Sequence, residues 1–209
     1  MVSKLFRAWM VSVLILLSCN VHAEGPPAMS SYPSRTYCFG RLLLDVPAGA
    51  KVALDAKFKG TEKQGSKDFT SFAALKDAQE SRAREMAAKE MIRDEGRDEI
   101  FRVGGFDPDR LYGKHQLLAL DVDSADQMIV IAYHVNLEDI SFILEAHKFI
   151  GNKDHVFISK GLGADDLHEL QADVVQAAKQ FTAIDNRALP SQPGFCVDGG
   201  MFVDAGRPP

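Results

Sequence analysis

Four strand-like runs follow one another along this chain with very little between them. Residues 99–106, 115–122, 128–135 and 140–149 are rich in β-branched and aliphatic side chains, and the joining segments 107–109, 121–126 and 136–139 have turn composition. A parallel crossover needs about a dozen residues or more, so runs joined this closely pair antiparallel, as hairpins. Helical patterns frame them. Residues 71–98 read as one long helix, with Phe72, Leu75, Ala83, Met86 and Ala87 near one face and Arg82, Arg84, Lys89 and Arg93 around the rest. Residues 165–181 are amphipathic: Leu167, Leu170, Val174, Ala177, Ala178 and Phe181 share a face, and Asp165 and Asp166 suit the positive amino end. Upstream, residues 37–46 read as a strand closed by a Pro47-Ala48-Gly49 turn. Residues 51–58 alternate as a half-buried strand, 60–67 read as a polar loop, and 156–159 add a short strand. The predicted fold class is α+β, an antiparallel β-sheet with its two main helices packed on one face.

The amino end is built for export. Lys4 and Arg7 precede an apolar run of 11 residues, 8–18, well short of the 18 or so needed to cross a bilayer. Val21-His22-Ala23 offers a cleavage site. The alternative is Leu16-Leu17-Ser18-Cys19, an approximate lipobox that would make Cys19 the lipidated amino end. Either route places the protein in the periplasm, free or membrane-anchored. The expected organisation is a signal peptide at 1–23, a flexible tether at 24–35 and an α+β domain at 36–185. A linker and the start of a truncated second domain follow at 186–209.

Loss of residues 1–23 removes Lys4 and Arg7 and no acid, so the formal charge falls from −5 to −7. That balance argues against nucleic acid or an anionic membrane surface as partner. Two cysteines remain in the mature chain, Cys38 and Cys196. In an oxidising compartment they are candidates for a disulfide; the alternative is a pair of buried thiols. Closing so long a loop would remove roughly 5 kcal/mol of unfolded-state freedom in the chain-entropy model.

Catalytic motifs are incomplete. There is no Gly-x-Ser-x-Gly elbow. His168-Glu169 opens like a metalloprotease helix, but Ala172 stands where the second histidine belongs. Asp121, Asp123 and Asp126 resemble a calcium loop, yet Ala125, Asp126 and Ala132 occupy positions that require ligands or glycine, so a hairpin turn is expected. Gly161-Leu162-Gly163 lacks the third glycine of a dinucleotide fingerprint. His134 and His147 fall in neighbouring strands and could form a metal pair, but buried, hydrogen-bonded histidines are the simpler expectation. No catalytic residue, cofactor or metal site is expected, and the chain reads as a binding protein.

The two ends of the mature domain are more specific. Cys38-Phe39-Gly40-Arg41 leads directly into Leu42-Leu43-Leu44-Asp45-Val46-Pro47-Ala48-Gly49-Ala50, and Pro193-Gly194-Phe195-Cys196-Val197-Asp198-Gly199-Gly200-Met201-Phe202 stands near the far end. This pairing, carried by Gly40, Arg41, Asp45, Pro47, Gly194, Phe195 and Gly199 around the cysteines, resembles the type VI secretion immunity proteins that neutralise a phospholipase effector. The match is to the two-domain family cognate to the fourth class of such effectors. The resemblance implies a periplasmic antitoxin that grips a lipase and keeps its lid from opening, with a protein partner, no cofactor, no substrate, no nucleic acid, and membrane contact only through Cys19. It also implies that the final segment is the first strand of a second domain, left here without neighbours. An exported envelope protein or lipoprotein, with His134, His147 and the acidic turns as ingredients of an enzymatic or metal-binding site, is the alternative.

Overall fold

The computed structural model describes residues 33–52, 57–184, 190 and 194–203. The leader, Cys19 and most of the 186–193 linker lie outside them. The chain opens with β1 (Ser34–Phe39), β2 (Leu42–Pro47), β3 (Lys57–Phe58) and β4 (Thr61–Asp68), then α1 (Phe72–Ala87), α2 (Glu95–Val103) and α3 (Pro108–Tyr112). A meander follows: β5 (Leu117–Asp123), β6 (Met128–His134), β7 (Ser141–Ile150) and β8 (Lys153–Leu162). The described chain ends with α4 (Leu167–Gln180), β9 (Phe181–Ala183), β10 (Gly194–Val197) and β11 (Gly200–Val203).

Six strands form one antiparallel sheet in the order β3-β4-β8-β7-β6-β5, with a three-stranded sheet β10-β11-β9 and the β1-β2 hairpin beside it. The α+β class and antiparallel pairing are as expected. The helices, however, occupy opposite faces. Met128, Val130 and Ala132 of β6 pack with Val174, Ala177 and Ala178 of α4, whereas Ile131 packs with Ala83 and Met86 of α1. Successive strand residues point to opposite faces, so β6 is apolar from Met128 to Ala132 because both its faces are covered. Phe181 and Phe202 carry the main core into the small sheet, with ring centroids 5.9 Å apart, and Phe202 stacks on Phe58 at 4.6 Å.

Several element boundaries differ from expectation for local reasons. The run 37–46 is a hairpin, because Gly40 turns the chain with φ at +57°. The polar stretch 60–67 is strand β4, which pairs with β8 and bulges between Gln64 and Ser66; its buried positions are Thr61 and Lys63, so hydrophobicity does not mark it. The single long helix divides in two. Ser71 caps α1 by accepting the Ala74 amide at 3.1 Å, and Asp94 caps α2 by accepting the Arg97 amide at 2.8 Å. The first expected strand, 99–106, therefore begins inside α2, and the short strand at 156–159 is the ten-residue β8. The segment 194–203 is no lone strand: β10 and β11 form a hairpin, and β11 pairs with β9. Among the described residues, no helix is long and apolar enough to cross a membrane.

Candidate interaction surface

Cys38 and Gly40 from one end of the domain meet Phe195 and Cys196 from the other in one seam. Cys38 and Cys196 form a disulfide with Cα atoms 5.6 Å apart. Beside it, the Gly40 amide donates to the Cys196 carbonyl at 3.0 Å and the Cys196 amide donates to the Gly40 carbonyl at 2.7 Å. A Cβ on Gly40 would touch the Phe195 ring at 3.5 Å, and one on Gly194 would meet the Phe202 carbonyl oxygen at 2.6 Å. Phe195 leans on Phe58, centroids 5.8 Å apart. Asp45 accepts from the Thr36 hydroxyl at 2.6 Å, the Pro47 carbonyl accepts the Ala50 amide at 2.9 Å, Arg41 occupies the exposed β1–β2 turn, and Gly199 makes the β10–β11 turn at φ +73°. These residues build the scaffold.

His134 and His147 are not a pair. His147 sits opposite Ile129 in the β6–β7 ladder and His134 opposite Phe142, five positions further along. By strand alternation they project to opposite faces of the sheet. Fully buried His134 lies 2.6 Å through Nε2 from the Tyr112 carbonyl, and burial lowers its pKa. Asp123 caps the β5–β6 turn by accepting the Ala125 and Asp126 amides at 3.1 and 3.0 Å, and His168 and Glu169 are exposed on α4. No metal-holding group of three His, Cys, Asp or Glu occurs among the described residues.

His147 belongs instead to a buried polar cluster on the α1 face, which the sequence reading did not single out. Its Nδ1 lies 2.8 Å from Asp154 Oδ2 and its Nε2 lies 3.1 Å from Glu145 Oε2. Glu145 also accepts from Arg82 at 2.5 and 3.2 Å and from the Tyr133 hydroxyl at 2.7 Å. The Arg82 guanidinium stacks over the Tyr133 ring at 4.7 Å. Alongside, a groove of about 540 Å³ runs between α1 and strands β4 and β8. Burial alone would raise the Glu145 carboxyl, but the donors from His147, Arg82 and Tyr133 outweigh it and hold the pKa at about 2. Burial opposes the charged form of His147 too, yet the two carboxylates prevail and raise its pKa; the arrangement favours the imidazolium, the one form that can donate to both carboxylates. Burial, then Glu145, pushes the Tyr133 phenol up to about 12.

The His147 contribution is complete below the ordinary value of about 6.5 and is lost as pH rises through its raised folded pKa. The Glu145 contribution is complete above the ordinary value near 4.5 and is lost as pH falls towards about 2. The stability gap between wild type and His147→Asn, measured by urea unfolding, should be widest near pH 5.5 and narrow at alkaline pH. An equal gap at every pH would contradict the doubly bonded imidazolium.

The second feature missed from sequence is helix α2, whose polarity is inverted. Its buried residue is Asp98, 6% exposed, which accepts from Arg93 at 2.7 Å. Its large aliphatics face outwards: Ile100 is 69% exposed and Val103 80%, with Phe106 just beyond at 58%. The helix is nonetheless firmly held. Arg93 also bonds Asp109 at 2.8 Å, Arg97 donates to the Glu138 carbonyl at 2.6 Å, and Phe101 packs edge-on against Tyr112 at 6.1 Å. A second exposed apolar stretch lies on β2, at Leu42, Leu43 and Leu44.

Comparison with solved structures places this architecture. The immunity protein TplEi of the type VI secretion system from Pseudomonas aeruginosa superposes over 81% of this chain and 51% of its own, with a TM-score of 0.56 at 16% identity. A chain of the Tle4–Tli4 complex superposes over 81% of this chain and 50% of its own, also with a TM-score of 0.56 at 16% identity. The chain has the fold of these type VI secretion immunity proteins. It spans about half the length of the solved structures it matches. No protein-family model matches it, and no curated protein does. The resemblance carried by the two cysteine segments therefore holds at the level of fold.

Proposed function

We propose that this protein is a periplasmic immunity protein that binds a type VI secreted lipase and keeps it from membrane phospholipid. The observation that carries the reading is the shared fold with TplEi and with the Tle4–Tli4 complex over 81% of the chain. Three features support it. The amino end has the pattern of an export signal, the disulfide suits an oxidising compartment, and the chain carries a rigid outward apolar helix of the kind a binding protein needs. The enzymatic alternative loses its main ingredient, because His134 and His147 do not share a face of the sheet.

Co-expression tests the proposal. A type VI lipase of the class these immunity proteins meet, directed to the periplasm, should kill cells that lack the protein and spare cells that make it. The two purified proteins should co-elute on gel filtration. Unrelieved killing with no complex would overturn the reading. The mass of the mature protein from each cell fraction distinguishes cleavage after Ala23 from lipidation at Cys19.

A further inference from the structure

We infer that the outward face of α2, with Ile100 and Val103 at its centre and Phe106 at its end, is the surface that seats in the partner, and that the partner offers an apolar groove bordered by lysine or arginine. This rests on the proposed function in taking the lipase as that partner; the surface and its chemistry are read from this chain alone.

Three observations point the same way. First, Ile100 and Val103 are three apart on one helix face and therefore neighbours, the spacing by which a helix enters an apolar groove. A helix that buries an aspartate and exposes aliphatics is oriented against its own hydrophobicity. The Arg93 and Arg97 bonds keep it so. Second, those bonds, with the Phe101–Tyr112 contact, fix the helix before any partner arrives, so binding orders little and more of the interaction energy is retained. Third, the border of the patch is acidic. Between residues 90 and 110 seven acids stand against four bases. All four bases are engaged: Arg93 with Asp98 and Asp109, Arg97 with the Glu138 carbonyl, Arg102 with Glu99, and Arg110 with Asp165. Glu95, Asp107 and Glu138 are exposed and form no ion pair among the described residues. An apolar centre with an acidic margin complements an apolar groove with a basic one.

The test uses the mature protein and the lipase it neutralises in the co-expression assay. Ile100→Ala with Val103→Ala retains helix propensity and replaces only exposed side chains, so circular dichroism and thermal unfolding should match wild type. Affinity for the lipase should fall about 100-fold, as expected when two central aliphatic anchors are truncated. Leu43→Ser on β2 should leave affinity unchanged, and added salt should slow association of the wild type. A double variant that binds as tightly as wild type, or a loss confined to Leu43→Ser, overturns the α2 assignment while leaving the immunity reading intact. A wild-type protein that binds no lipase overturns both.

Discussion

Cys196→Ala is expected to lower folding stability by about 2–5 kcal/mol, the range for loss of a native disulfide. The bond joins residues 158 apart in sequence, so its removal releases a large loop in the unfolded state. The native side is vulnerable as well. The β1–β2 hairpin is short, and Leu42, Leu43 and Leu44 on β2 are exposed, so the hairpin buries little apolar surface of its own. Without the disulfide it is tied to the small sheet through the Gly40–Cys196 amide pair, and two-stranded hairpins are marginal in water. Urea unfolding of wild type with and without reductant, beside Cys196→Ala, measures the effect. Reduced wild type should coincide with the variant, and limited proteolysis should cut first near residues 33–47. A midpoint indifferent to reductant would refute the argument.

The second large effect is expected at Glu145. Glu145→Ala removes the acceptor for Arg82, Tyr133 and one nitrogen of His147 together. Breaking a buried charge cluster from one side typically costs about 3–5 kcal/mol, because the remaining charge is left uncompensated. His147 is that charge, 4% exposed, and it would keep only Asp154. Arg82→Ala should be milder: its side chain is 36% exposed, and Glu145 would retain His147 and Tyr133. Equilibrium unfolding of both variants and of the pair together gives the coupling in a double-mutant cycle. A cost below about 1 kcal/mol for Glu145→Ala would show that the cluster is better solvated than its burial implies.

Sequence reached β5, β6, β7 and α4 because their signals are local and strong: short turns between β5, β6 and β7, and a clean apolar stripe on the helix; of β8 it reached only residues 156–159. It failed where burial and hydrophobicity part company. Strand β4 buries Thr61 and Lys63, which no apolar alternation reveals. In α2 the aliphatic residues Ile100 and Val103 face water, so a strand and an inverted helix give the same composition, and the Asp94 cap is the clue that separates them. The placement of α1 was legible in principle. Met128 to Ala132 is an unbroken apolar run, the mark of a strand covered on both faces. Glu145 and His147, alternating within the largely apolar run 142–146 and its continuation in β7, are the visible trace of the buried cluster. Their partners Arg82 and Asp154 come from other elements, and only tertiary packing brings them together.

The order of the strands also bears on how the domain assembles. Strands β5 to β8 are successive hairpins, so their pairing closes short loops at small entropic expense and can proceed early. The pairing of β4 with β8 must wait for the whole meander, and the Cys38–Cys196 bond spans nearly the full described chain. The expected sequence of events puts the covalent clasp last. Cys38 remains a free thiol until strand β10, the last but one of the described strands, has found its place, and oxidation then seals a domain whose sheet is already built.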